Sequence, residues 1–175
     1  LLLLQIQPMI QHAAILCLIA VTAAGAAPKH AKPVLTEAKR IWDQAPHNAF
    51  TDLVRHEGRW YCVFREGKHH VSPDGALRVI TSKDGNNWKS LALVTHDDYD
   101  LRDAKLTVLP DGRFMLNGAG MQAEAKIRYQ SMTWFSSDKG KSGSKENMIG
   151  DPGFWLWRAQ FHEGNIWSFG YRTDR

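Results

Sequence analysis

Three arginines stand where predicted strands begin or end, and one of them is followed directly by an aspartate. Arg65, Arg102 and Arg158 belong to three successive parts of the chain, and Asp103 follows Arg102. A guanidinium binds a carboxylate through two parallel, charge-assisted hydrogen bonds. An aspartate held beside a ligand can act as a general acid or base. If the three strand ends meet, these side chains converge on one funnel that suits a polar or acidic ligand.

Each of these positions also has a structural interpretation. Arg65 and Glu66 would form an ion pair at the surface where their strand ends. Arg158 follows Trp155 and Trp157, whose rings would either stack on a sugar or pack in the core. Both interpretations stay open at the level of the sequence.

Other reaction classes lack their characteristic residues. The chain has no Gly-rich phosphate loop, no Ser-His-Asp order and no cofactor fingerprint, so we expect no cofactor. Its histidines show no zinc spacing, so we expect no metal. Cys62 lies in an alternating run and is predicted to be a small buried hydrophobe. The net charge of +4 is scattered, without a basic face interleaved with aromatics, which argues against nucleic-acid binding.

The elements that must position these residues are short strands separated by turn residues. Around Cys62 the side chains alternate between two unlike faces, the period-2 pattern of a strand. The same reasoning predicts strands at 50–55, 59–65, 77–81, 88–94, 105–109, 113–117, 129–135, 147–150, 154–161 and 165–171. The pattern therefore predicts an all-β protein.

Two unrelated markers repeat along the chain at one interval. Asp84 and Asp138 lie 54 residues apart in similar Ser-x-Asp turns. Gly58, Gly112 and Gly164 lie in strand-turn-strand signatures, 54 and 52 residues apart. Periods of this length belong to propellers and arrays, and four strands in about 45 residues make one propeller blade.

The two aspartate turns carry a resemblance to a known family. Ser82, Asp84 and Trp88 resemble the Asp box, Ser-x-Asp-x-Gly-x-Thr-Trp, that marks sialidase (neuraminidase)-like β-propellers and the bacterial secreted BNR-repeat glycosyl hydrolases. The second turn, around Asp138, resembles the same box but has Gly143 in place of the aromatic residue. We expect each aspartate to accept backbone N–H bonds and Trp88 to pack beneath its turn, leaving the second turn looser.

The resemblance implies a fold and a domain arrangement. It covers 42–175 and implies a propeller with six blades if complete, of which about two and a half are present, at about 47–98, 99–151 and 152–175. Two and a half blades do not close into a ring, so we expect a fragment of a longer protein or a truncated gene product.

The resemblance also implies an activity, that of an exo-α-sialidase-type glycoside hydrolase acting on terminal sugars of glycans. Asp74 stands on the loop where the family has its acid/base aspartate, although 72–75 also fits a simple β-turn. Asp74 and Asp103 are therefore the expected catalytic residues, and Arg65, Arg102 and Arg158 are expected to bind a glycan or sialoside substrate.

This chain departs from the family pattern in its first strand. The family's first arginine is missing from 49–53, which makes a different acidic or neutral sugar an alternative to sialic acid. A non-catalytic carbohydrate-binding propeller and an inactive truncated remnant are the alternative functions.

The first 26 residues differ from the rest of the chain. They are apolar and end in small residues, the pattern of a secretory signal peptide, and 27–41 reads as a linker. We therefore expect a secreted or periplasmic protein without stable membrane insertion after signal removal, and an uncleaved membrane anchor is the alternative.

Overall fold

The computed structural model describes residues 34–173. The chain divides into two units, Leu1–Ala38 and Lys39–Arg175, and the described part of the first unit carries no helix or strand. The predicted signal peptide lies outside the described residues. Within residues 34–173, no helix has the length and apolar character that crossing a bilayer requires.

All regular secondary structure in the described residues is β-strand, which confirms the all-β class. Ten strands occur near the ten predicted positions: β1 (His47–His56), β2 (Arg59–Gly67), β3 (Ala76–Ser82), β4 (Lys89–Val94), β5 (Asp100–Val108), β6 (Phe114–Met121), β7 (Tyr129–Ser136), β8 (Asn147–Ile149), β9 (Phe154–His162) and β10 (Asn165–Arg172). The first eight form two four-stranded antiparallel sheets in sequence order, and the last two form a hairpin. The six-blade count stays a prediction.

The main hydrophobic core lies between the two four-stranded sheets. From the first sheet, Tyr61, Val63 and Leu77 pack into it, and from the second, Leu106 and Trp134. Tyr61 and Val63 alternate along β2 with Cys62 and Phe64, so both faces of this strand are buried. The predicted burial of Cys62 is confirmed.

The repeated glycine signature corresponds to tight hairpin turns. Glu57 and Gly58 have φ of 45° and 72°, and Glu163 and Gly164 have φ of 47° and 80°. Two successive positive φ angles are the mark of the type I′ turn, whose twist matches that of the flanking strands. At the middle signature, Gly112 has φ of 82° and its amide donates to the carbonyl of Leu109 at 2.9 Å.

Both aspartate turns have the expected hydrogen bonds. Asp84 Oδ1 accepts from the amides of Asn86 and Asn87 at 2.9 and 2.8 Å, and Asp138 Oδ1 accepts from the amide of Ser142 at 2.8 Å. In the first turn, Trp88 packs against the buried cluster that contains Ile80. These contacts confirm the predicted acceptor role of both carboxylates and the position of Trp88.

The second turn leaves space where the first turn has its tryptophan. A Cβ atom added at Gly143 would meet no atom within 4 Å. Beside it lies a groove of about 320 Å³ between the two large sheets, lined by Leu91, Leu116, Trp134 and other residues. The missing aromatic side chain thus coincides with an open apolar groove.

Candidate active site

The first strand of each sheet contains a β-bulge. The pairing register shifts between Ala49 and Asp52 in β1 and between Arg102 and Lys105 in β5, and in β9 two residues lie opposite the single residue Phe169 of β10. These three strands also contact one another, β1 with β5 and β5 with β9. Bulges redirect side chains and occur next to active sites.

Two of the bulges contain backbone that is unusual for residues other than glycine. Phe50 has φ of 60° and Asp103 has φ of 51°. Such left-handed conformations cost energy and persist where the surrounding structure holds them, often at functional sites. The bulge at Asp103 also explains why β5 begins at Asp100 rather than at the predicted residue 105, since the extra residue interrupts the alternation.

Three side chains at or next to the bulges, Asp52, Asp103 and Arg158, make up what we call the bulge cluster. Asp52 Oδ2 accepts from the amide of Leu106 at 2.9 Å, and its Oδ1 is paired with Arg158 Nη2. Arg158 Nη1 also donates to the carbonyl of Leu106 at 3.5 Å. β1, β5 and β9 are therefore joined at one point by a carboxylate and a guanidinium.

The second carboxylate of the bulge cluster is also held by β9. Asp103 Oδ2 accepts from Trp155 Nε1 at 2.9 Å. The two carboxylates of the cluster thus contact the same strand, Asp103 through Trp155 and Asp52 through Arg158.

A second charged group, the Arg–Asp–Arg triad, lies between the first two sheets. Arg65 and Arg102 share the carboxylate of Asp100: Arg65 Nη2 is 2.8 Å from Oδ1, and Arg102 Nη2 is 2.6 Å from Oδ2. Arg65 is fully buried (0% exposed), and its Nη1 also donates to the carbonyl of His69 at 2.8 Å. Arg65 therefore offers no donor to a ligand in this structure.

The three arginines that were expected to converge on one funnel are divided between two carboxylates in the structure. Arg65 and Arg102 meet on one carboxylate, and Arg158 lies on another. The alternative surface ion pair between Arg65 and Glu66 does not form, because Glu66 pairs with Arg78 at 2.5 Å.

The triad also fixes the loop between β2 and β3. Gly75 lies so close to Asp100 that an added Cβ atom would fall 1.8 Å from Oδ1. Across the same contact, the amide of Leu101 donates to the carbonyl of Gly75 at 3.0 Å. A residue other than glycine at position 75 would therefore displace the carboxylate that holds both arginines.

Asp74 lies on this loop, in the β-turn that the sequence allowed. The amide of Gly75 donates to the carbonyl of Ser72 at 3.1 Å, which closes the turn. A hydrogen bond from Ser72, and then one from the amide of Lys68, hold the pKa of Asp74 below its ordinary value. The carboxyl group of Asp74 is therefore ionised at neutral pH.

Aromatic and imidazole rings pack together beside the triad, where the carbonyl of His70 accepts from Arg102 Nη2 at 3.1 Å. The centres of the Phe50 and His70 rings are 5.5 Å apart, as are those of His47 and His70. Burial, and next the charge of Arg65, lower the pKa of His47.

Among residues 34–173, no group of three or more His, Cys, Asp or Glu side chains is arranged to hold a metal ion.

Sequence reasoning missed Asp52 and Asp100 as site residues. The signal available for Asp52 was a carboxylate inside a predicted strand, where charged side chains are uncommon unless they are paired. Asp100 preceded the predicted start of β5, so it read as a loop residue.

Comparisons with known proteins show a likeness of fold. No family model and no curated protein matches the sequence. The GH32 β-fructofuranosidase of Bombyx mori has 15% identity over 78% of this chain and 31% of its own, with a TM-score of 0.51. A mutant of that enzyme in complex with sucrose has 16% identity over 77% and 31%, with a TM-score of 0.50.

A third structure, a protein of unknown function from Dyadobacter fermentans, has 22% identity over 61% of this chain and 37% of its own, with a TM-score of 0.49. The chain spans about a third of the length of the structures that it matches. At these identities, the comparison with the fructofuranosidase shows a likeness of β-fold alone.

Proposed function

We propose that this chain is the part of a glycoside hydrolase that presents the bulge cluster to a terminal sugar. The observation that carries the proposal is the meeting of three bulged first strands at Asp52 and Arg158. The glycosidase-like fold supports it, as does the neighbouring structure, which was solved in complex with sucrose.

Glycoside hydrolysis ordinarily uses two carboxyl groups that flank the scissile bond. We assign these roles to Asp103 and Asp52. Asp103 is the acid/base: one of its oxygens accepts from Trp155, and the other is left to exchange a proton with the leaving group. Asp52, oriented by Arg158 and the amide of Leu106, is the second carboxylate, which stabilises positive charge on the sugar ring.

Asp74 does not take the acid/base role in this proposal. Its Oδ2 accepts from the amide of Lys68 at 3.1 Å, so this carboxylate is engaged within its own loop. Its loop is instead anchored by the Arg–Asp–Arg triad, so we assign Arg65 and Asp100 to positioning rather than to substrate contact.

For the substrate we propose a terminal acidic sugar of the sialoside class, outside the cell or in the periplasm. The triad carries two guanidinium groups and one carboxylate, so it places a net positive charge between the first two sheets. Arg158 adds a half-exposed guanidinium within the bulge cluster. The bulge cluster as a whole, with two carboxylates and one guanidinium, has a net charge of −1, so it is the net charge of the triad that favours a ligand carrying a carboxylate.

A comparison of three aspartate-to-asparagine variants tests the proposal. Hydrolysis of a fluorogenic α-sialoside and of sucrose is measured for the unmodified protein, for Asp52→Asn, for Asp103→Asn and for Asp111→Asn. Asp111 is an exposed residue of a hairpin turn and is the matched control. Loss of an acid/base group lowers the rate by about 10²- to 10⁴-fold, so we expect that loss in Asp103→Asn. We also expect a lower rate in Asp52→Asn, because its carboxylate stabilises charge on the sugar ring, and an unchanged rate in Asp111→Asn.

If the protein hydrolyses sucrose but not the sialoside, the proposed glycosidase activity stands and the proposed sialoside substrate is wrong. Saturable binding of sugars without turnover would favour the carbohydrate-binding alternative. Full activity in both cluster variants would overturn the assignment.

A further inference from the structure

A recess lined by aromatic side chains lies next to the bulge cluster. It has a volume of about 390 Å³ and is lined by Tyr129, Trp155, Tyr171, Arg172 and Thr173. This volume lies within the range of about 300–1,000 Å³ that is typical of small-molecule pockets.

The walls of the recess are tied together through the backbone of one residue. The amide of Gly153 donates to the carbonyl of Tyr129 at 2.8 Å, and the amide and hydroxyl of Thr173 both donate to the carbonyl of Gly153 at 2.8 Å. The start of β7, the start of β9 and the end of β10 are therefore held in fixed relation. A recess with such walls is formed before any ligand arrives, which lowers the entropic cost of binding.

The aromatic rings at the recess form a row of two ring pairs that cross-strand pairing brings together. The Tyr129 and Trp155 rings are 5.2 Å apart between centres, and Tyr171 is the direct cross-strand partner of Trp155. The row continues to Trp157, whose ring centre is 6.1 Å from that of Tyr171. Tyr171 is 46% exposed, so the row is open to solvent at this point.

The chemistry of this lining suits a sugar ring. One face of a pyranose presents C–H groups, which stack on an aromatic ring, and its edge presents hydroxyl groups. Tyrosine and tryptophan combine an apolar ring with a polar donor. Arg172 adds a guanidinium group, which lies 5.0 Å from the centre of the Phe154 ring.

The recess is linked directly to the carboxylate that we propose as the acid/base. Trp155 forms part of the lining, and its Nε1 donates to Asp103 at 2.9 Å. A ring in the recess is therefore separated from Asp103 by a single side chain. We propose, resting on the function above, that the recess is a subsite for the sugar ring next to the one released, and that it selects oligosaccharides over single sugars.

Removing the ring of Tyr171 tests the subsite. For Tyr171→Ala in the full chain, we expect kcat/KM to fall about tenfold for a sialyl trisaccharide and to stay within about twofold for a methyl sialoside, as expected for the loss of one aromatic contact. Tyr171→Trp should retain the trisaccharide activity. Phe169→Ala is the matched control, because Phe169 lies on the same strand, is 89% exposed and does not line the recess.

The outcomes separate the subsite from the proposed function. Suppose that the protein hydrolyses sugars and that Tyr171→Ala changes kcat/KM by the same factor for both substrates, or leaves both unchanged. The proposed subsite is then wrong, and the proposed glycosidase activity stands. If no sugar is hydrolysed, trisaccharide binding is followed by tryptophan fluorescence. Weaker binding in Tyr171→Ala than in Phe169→Ala then supports the subsite, and equal binding overturns it. Tyr171→Gln, which keeps bulk without a ring, gives the same test if the alanine variant does not fold.

Discussion

Replacing Asp100 by asparagine should be among the most destabilising single changes in this fold. The carboxylate accepts hydrogen bonds from Nε and Nη2 of Arg65 at 3.1 and 2.8 Å, and from Nε and Nη2 of Arg102 at 3.1 and 2.6 Å. The side chains of Arg65, Asp100 and Arg102 are only 0%, 2% and 9% exposed. Asparagine keeps the shape of aspartate but removes the charge that compensates two buried guanidinium groups.

The magnitude follows from this burial. Removing one partner of a buried ion pair costs about 3–5 kcal/mol, and here one carboxylate serves two cations, so we expect the upper end of that range. A typical domain is stable by about 5–15 kcal/mol, so the loss is a large part of the total. Asp111→Asn removes an exposed ion pair with Arg113 and should cost about 0–1 kcal/mol.

Urea denaturation followed by tryptophan fluorescence measures both variants under the same conditions. The reasoning fails if Asp100→Asn shifts the free energy of unfolding no more than Asp111→Asn does. If Asp100→Asn does not fold, Arg102→Met provides the test. This variant leaves Asp100 paired with Arg65, so it must lower the free energy of unfolding less than Asp100→Asn does. We expect a soluble protein of near-normal stability.

Three further predictions concern the turns and the core. Gly143→Trp should fill the inter-sheet groove and raise the free energy of unfolding by about 1–2 kcal/mol, measured by urea denaturation. The amide and side chain of Asn87 hold the pKa of Asp84 below its ordinary value of 3.8, so the stabilisation from this carboxylate is present above that value and is lost as the pH falls further. Asp84→Asn should therefore flatten the acid limb of a stability–pH curve. Burial raises the pKa of Cys62 to about 11, so its alkylation at pH 8 should be slow in folded protein and fast in urea.

Each of these predictions has its own contradicting result. Gly143→Ala adds little volume to the groove. If alanine and tryptophan raised the free energy of unfolding equally, filling of the groove would not be the cause. An unchanged acid limb in Asp84→Asn, compared with the exposed Asp97→Asn, would show that the turn does not carry the pH dependence. Rapid alkylation of Cys62 in the folded protein would mean that β2 opens locally.

The sequence by itself determined the strands and the turns between them. Alternation around Cys62 predicts β2 because side chains of a strand point to opposite faces in turn. Glu57 and Gly58 predict the first hairpin because a type I′ turn requires two positive φ angles, and Gly143 marks the turn that lacks its aromatic residue. All of these features depend on interactions between near neighbours in the chain.

Only the tertiary structure decided which charges meet. Asp52 and Arg158 are 106 residues apart, and Arg65 and Asp100 are 35 residues apart. No local pattern encodes these pairs, because each forms only when separate sheets pack together. The bulges that redirect Asp52 and Asp103 likewise depend on pairing with the neighbouring strand, so the sequence showed the charged residues but not their partners.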